Sequence, residues 1–181
     1  MPSWSRYKRG QGFGPSAMLT LLVALALGTA GSPSVTPHVR AVSRVVQSLL
    51  DEAAGLPTTA ALLQRLDASD QFVYVEFTNS PVIPSARTTL VTATSGVRFL
   101  RVAINAHVVP GDRLPLLAHE LQHAVELADA PDVRDDDGVR LLYRRLGHAS
   151  GVDQFETAAA IVAERQVRRE MAARNGRDHR S

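Results

Sequence analysis

Between Asp112 and Ala130 the chain reads Asp-Arg-Leu-Pro-Leu-Leu-Ala-His-Glu-Leu-Gln-His-Ala-Val-Glu-Leu-Ala-Asp-Ala, and this stretch limits the fold more than any other. Its apolar residues recur at helical spacing. At about 100° per residue, Leu114, Leu117, Leu121, Val125 and Ala128 form one stripe that can face a core. Asp112 is a natural N-cap, Pro115 is expected in the first turn, and Pro131 closes the far end. His119 and His123 fall on roughly the opposite side, one turn apart, where both rings can converge on one ion. Glu120 lies beside them, able to touch a water on that ion without ligating it.

His119, Glu120 and His123 spell H-E-x-x-H. With six His and seven Glu in 181 residues, a chance occurrence is on the order of one percent, so the motif is treated as signal. The bland alternative is an amphipathic helix with two surface histidines. Leu121, Gln122, Ala124 and Val125 are uncharged, as are the residues just before His119. The segment therefore resembles the extended signature of the zincin metallopeptidases, in which the motif sits on a buried helix.

Catalytic zinc usually takes three protein ligands and leaves one position to water. Glu156, 33 residues after His123, is the preferred third ligand. It is expected in the first turn of a helix carrying Phe155, Ala159, Ile161, Val162 and Val167. This resembles the gluzincin arrangement, in which a glutamate on a later helix completes the set; the alternative is an acidic residue placed by the helix dipole. Asp129 has the spacing of a metzincin ligand, but Glu126 stands where that family turns at glycine. Glu126 fits better as a group orienting a histidine ring, and Glu164 is a fallback ligand. Tyr143 and His148 are candidates to stabilise an oxyanion, with packing the commoner use of Tyr143.

The remaining pattern is mixed. Thr36-Pro37 predicts a helix to about Glu52 and Pro57 to Leu66 a second one. Phe72–Phe77 reads as a strand covered on both faces, and Thr88–Thr92 and Val97–Asn105 as a hairpin across Thr94-Ser95-Gly96. The aspartate-rich loop Pro131–Gly138 lacks calcium-loop spacing and suits turn and cap duty. A short helix, Val139–Leu146, follows, and the last helix is expected from about Asp153 to Ala173. The fold class is α+β: N-terminal helices, a three-stranded sheet, the motif helix and a C-terminal helix. The resemblance implies a small zincin-like domain, in which Val97–Asn105 would be the edge strand that binds extended peptide. In layout the chain is also similar to small exported bacterial proteins.

Residues 1–30 read as a signal peptide: Arg6, Lys8 and Arg9, then an apolar run from Ala17 to Leu27, then Gly28-Thr29-Ala30 as a cleavage site. That run is short for a bilayer span, so export is expected, with an uncleaved membrane anchor as the alternative. Residues 31–181 are expected to form a single domain. Without the leader, 17 basic residues (20 − 3) stand against 18 acidic ones, a net charge of −1. Nothing then argues for nucleic acid, and the arginines from Arg165 to Arg180 suit a solvated helix face. There is no cysteine, hence no disulfide framework. The expected function is a zinc-dependent peptidase acting on peptide or protein, with Zn²⁺ on His119, His123 and Glu156, and Glu120 as general base. The alternative is a zincin-like module of the cell envelope that binds metal and cleaves nothing.

Overall fold

Alternation along the strands sets the architecture. In Gln71–Thr78 (β2), Val73 and Val75 are fully buried while Phe72, Tyr74 and Glu76 between them are half-exposed. One face of the sheet therefore meets the core and the other does not. The computed structural model describes residues 37–151 and 154–178, with backbone alone for 148–151, 154, 155 and 178. The expected signal peptide lies outside the described residues. No helix among the described residues is long and apolar enough to cross a membrane.

The fold is α+β. A short strand, Val39–Ala41 (β1), leads into helices Arg44–Ala54 (α1) and Pro57–Asp67 (α2). Next come β2, the hairpin Ala86–Thr94 (β3) and Val97–Asn105 (β4), and helix Pro110–Ala128 (α3). Asp136–Leu146 (α4), the strands Gly147–Gly151 (β5) and Gln154–Thr157 (β6), and Ala158–Asp178 (α5) complete the chain. The sheet has four strands in the order β1-β2-β4-β3, parallel except for β3. Val46, Leu50, Val73, Leu100, Leu117 and Leu121 belong to one buried cluster that joins the sheet to the helices.

Several expectations shift. The helix forecast from Pro37 begins at Arg44, capped by Ser43, because residues 39–41 pair with β2 and bury Val39. That pairing turns an expected three-stranded sheet into four strands. The outer face of β2 is not covered: Phe72 stacks on Phe99 at 5.9 Å, and the Arg40 guanidinium lies 4.4 Å from the Phe72 ring centroid. The hairpin turn falls where expected, with Gly96 at φ 91°, a conformation that favours glycine. β4 is an interior strand; the edge beside α3 is β3.

The last helix starts at Ala158, not near Asp153, because residues 154–157 pair with residues 147–151 as antiparallel strands. A Cβ at Gly147 would collide with the Glu156 carbonyl, so only glycine permits this close approach. Thr157 caps α5 by accepting the Ala160 N–H at 3.1 Å. α5 buries Ala160, Ala163 and Val167, while Ala159 and Val162 are exposed.

α3 is fixed at both ends. Pro110 holds its first position with Val109 as N-cap, so Asp112 lies inside the first turn and Pro115 inside the helix. Asp112 pairs with Arg168 of α5. At the far end Arg98, fully buried, bonds the carbonyls of Leu127, Ala130 and Val133 at 2.7, 3.0 and 3.3 Å and the Asp70 carboxylate at 2.6 Å. The loop after α3 serves cap duty: Asp135 accepts the Gly138 N–H at 2.7 Å and opens α4.

Candidate metal centre

The histidines lie one turn apart on α3, and packing makes them face each other. Their ring centroids are 4.8 Å apart and their Nε2 atoms 3.1 Å apart, with both residues more than nine-tenths buried. The histidine side of the helix is buried, as the leucine side is. α5 and α4 cover the histidine side, where Tyr143 meets the His123 ring edge-on at 5.3 Å.

Each outer ring nitrogen faces a carboxylate. His123 Nδ1 lies 2.9 Å from Glu126 Oε2, whose other oxygen accepts from the Thr157 hydroxyl at 2.6 Å. His119 Nδ1 lies 3.2 Å from Glu164 Oε2, at ion-pair distance but out of line for a hydrogen bond, so it counts as a buried nitrogen without a bonded partner. In a neutral ring whose proton sits on Nδ1, Nε2 carries the free lone pair. Two such lone pairs 3.1 Å apart in a buried site repel unless a cation or a proton lies between them. That is a donor set suited to a metal ion.

Glu156 joins from the strand β6, not from a helix. Its Oε2 lies 3.4 Å from His119 Nε2, with the side chain 35% exposed. Tetrahedral zinc with bonds of about 2.0–2.1 Å separates its ligands by about 3.3–3.4 Å, and the 3.1 and 3.4 Å edges match that spacing. Still, no group of three or more His, Asp or Glu side chains among the described residues closes into a metal cage.

The rivals lie elsewhere. Asp129 is the C-cap residue of α3, 62% exposed, and accepts two 2.8 Å bonds from Arg65. Glu126 orients His123, as its spacing implied. Glu164 faces the outer nitrogen of His119 and pairs with Arg168 at 2.8 Å, so it stands behind the ring, not beside Glu156. The Tyr143 hydroxyl donates to the His123 carbonyl at 3.1 Å. Burial pushes that phenol far up, which keeps its proton in place. The side chain of His148 lies outside the described residues; its backbone pairs with Glu156.

Glu120 is 5% exposed, and its Oε2 accepts from the Thr88 hydroxyl at 2.7 Å. The same hydroxyl lies 2.9 Å from the Glu120 carbonyl, so its single proton is shared between two acceptors. Beside Glu120 a cleft of about 390 Å³ opens between β3 and the α3–α4 side, lined by His119, His123, Glu156 and the β3 residues from Ala86 to Leu90. Burial opposes charge on His123, but the Glu126 hydrogen bond and the Glu120, Glu126 and Glu156 charges outweigh it and hold its pKa above the ordinary value.

Thr88, Thr157 and the place of Glu164 were not legible in the sequence, since each reaches the histidine helix across the fold. No family model, curated protein or solved structure matches this chain.

Proposed function

We propose that the chain is a zinc-dependent peptidase of zincin type. The observation that carries the reading is the pair of buried imidazole nitrogens 3.1 Å apart, each ring backed by a carboxylate. His119, His123 and Glu156 would hold the ion. When bound, zinc supplies Lewis acidity and brings the pKa of water toward 7. Glu120 is then the base that takes the proton of the attacking water and hands it to the leaving amine. The Thr88 hydroxyl fixes the Glu120 carboxylate, so the base does not swing toward the metal. The edge of β3 that has no partner strand among the described residues would give an extended peptide backbone its hydrogen-bond partners.

The second reading is a metal-dependent binding module of the cell envelope. It is favoured by the Tyr143 hydroxyl, whose proton is donated to the His123 carbonyl at 3.1 Å and so is not free for an oxyanion. Zinc stoichiometry and cleavage of casein or a peptide library separate the two. The peptidase reading expects one zinc per chain and cleavage abolished by chelator and by Glu120→Gln, with zinc retained in that variant. Zinc bound without cleavage across a broad library supports the binding module; no stoichiometric zinc sinks both.

A further inference from the structure

Arg87 sits on β3 one residue before Thr88. The Thr88 hydroxyl reaches Glu120, so Thr88 faces α3, and strand alternation turns Arg87 to the outer face of the sheet. There Arg101 is paired with Glu76, and Arg40 reaches the Tyr74 hydroxyl at 3.4 Å. Arg87 is half-buried at the rim of the cleft and has no ion pair or hydrogen bond among the described residues. A guanidinium keeps its charge at any physiological pH, so a half-buried, unpaired one favours an anionic partner.

β3 pairs with β4 on one side and has no partner strand on the other among the described residues. An extended chain laid along that free edge places one residue directly opposite Arg87, with Cβ atoms about 4.5–5.5 Å apart and side chains on the same face. Its two neighbours turn the other way, toward a cleft whose lining is mainly acidic, with Glu120, Asp136, Glu156 and Glu164 against Arg140. Negative charge is repelled on that side and drawn to the Arg87 side.

We infer that Arg87 is a specificity-determining residue, selecting extended peptides with an acidic side chain opposite it and uncharged neighbours on either side. This rests on the reading of the cleft as a peptide site. The test measures binding, not turnover. Fluorescein-labelled octapeptides of Ala and Thr, with one Glu or one Gln moved through each position, are titrated by anisotropy against the full chain in chelator.

At one position Glu is expected to bind about five-fold more tightly than Gln at low salt, an advantage that shrinks in about 0.5 M NaCl. Arg87→Glu is expected to move the preference to Lys at the same position. The inference is overturned if no position discriminates, if Arg87→Glu leaves the preference unchanged, or if no peptide binds. Acidic preference without zinc-dependent cleavage by the metal-loaded chain removes the peptidase reading and leaves this one standing. Cleavage with no acidic preference does the reverse.

Discussion

Replacing Glu156 by alanine tests the proposed centre where it is most exposed to failure. Structural zinc in small peptides is held by roughly 10–16 kcal/mol across four protein ligands, or about 2.5–4 kcal/mol each. A water takes the vacated position and returns part of that loss. The low end then applies, so zinc binding should weaken about 100-fold, equivalent to about 2.7 kcal/mol. Asp129→Ala is the control. Its carboxylate is 62% exposed and tied to Arg65, an ion pair worth less than about 1 kcal/mol to the fold. Zinc affinity in that variant should stay within about two-fold of wild type, since nothing in the centre touches it. The assay is competition for zinc against a chromogenic chelator at neutral pH, with melting measured in parallel because a ligand that binds only the folded chain raises Tm. Wild-type affinity in Glu156→Ala refutes the reasoning, and so does a larger loss in Asp129→Ala, which would move the third ligand to the end of α3.

Two predictions concern how the centre is supported. Arg98→Met leaves three carbonyls at and just beyond the end of α3 without their donor and Asp70 with only its 3.6 Å contact to Arg134, and should lower stability by about 3–5 kcal/mol in urea unfolding. Its hydrogen bond to Arg98 holds the Asp70 pKa below the usual 3.8, despite the opposing effect of burial. Protonating Asp70 therefore costs the folded state more than the unfolded one. The contribution of the pair is complete above about pH 4–5 and is lost as pH falls through the depressed folded value, so the gap between wild type and variant should narrow at pH 3 and stay level from 5 to 8. A loss under about 1 kcal/mol, or a gap that widens in acid, contradicts this account. Gly147→Ala should push β5 away from Glu156 and weaken zinc binding about 10-fold with unchanged helix content by circular dichroism; unchanged affinity would mean that the hairpin does not position the ligand.

The parts of the fold legible in the sequence are those governed by near neighbours. The spacing of Leu114, Leu117, Leu121 and Val125 gives α3, Pro57 opens α2, and Gly96 turns the β3–β4 hairpin. The strand at Val39–Ala41 was hidden because Thr36-Pro37 makes a good local helix start, and only pairing with β2 overrides it. Residues 154–157, expected at the start of the last helix, pair instead with residues 147–151. Phe155, Glu156 and Thr157 precede an alanine-rich helix, yet the backbone of Gly147 reaches across and takes them as a strand.

The sequence alone determined which groups can do chemistry: two imidazoles and a carboxylate one turn apart, because a helix repeats every 3.6 residues and needs no distant partner to do so. Tertiary structure decided everything about their surroundings. It set Glu126 against His123, Glu164 behind His119, Glu156 at 3.4 Å on a strand and Thr88 on Glu120. Those contacts span from three to 45 residues of chain. The long ones exist only because burying one apolar cluster brings β3, β6 and α5 onto the same helix.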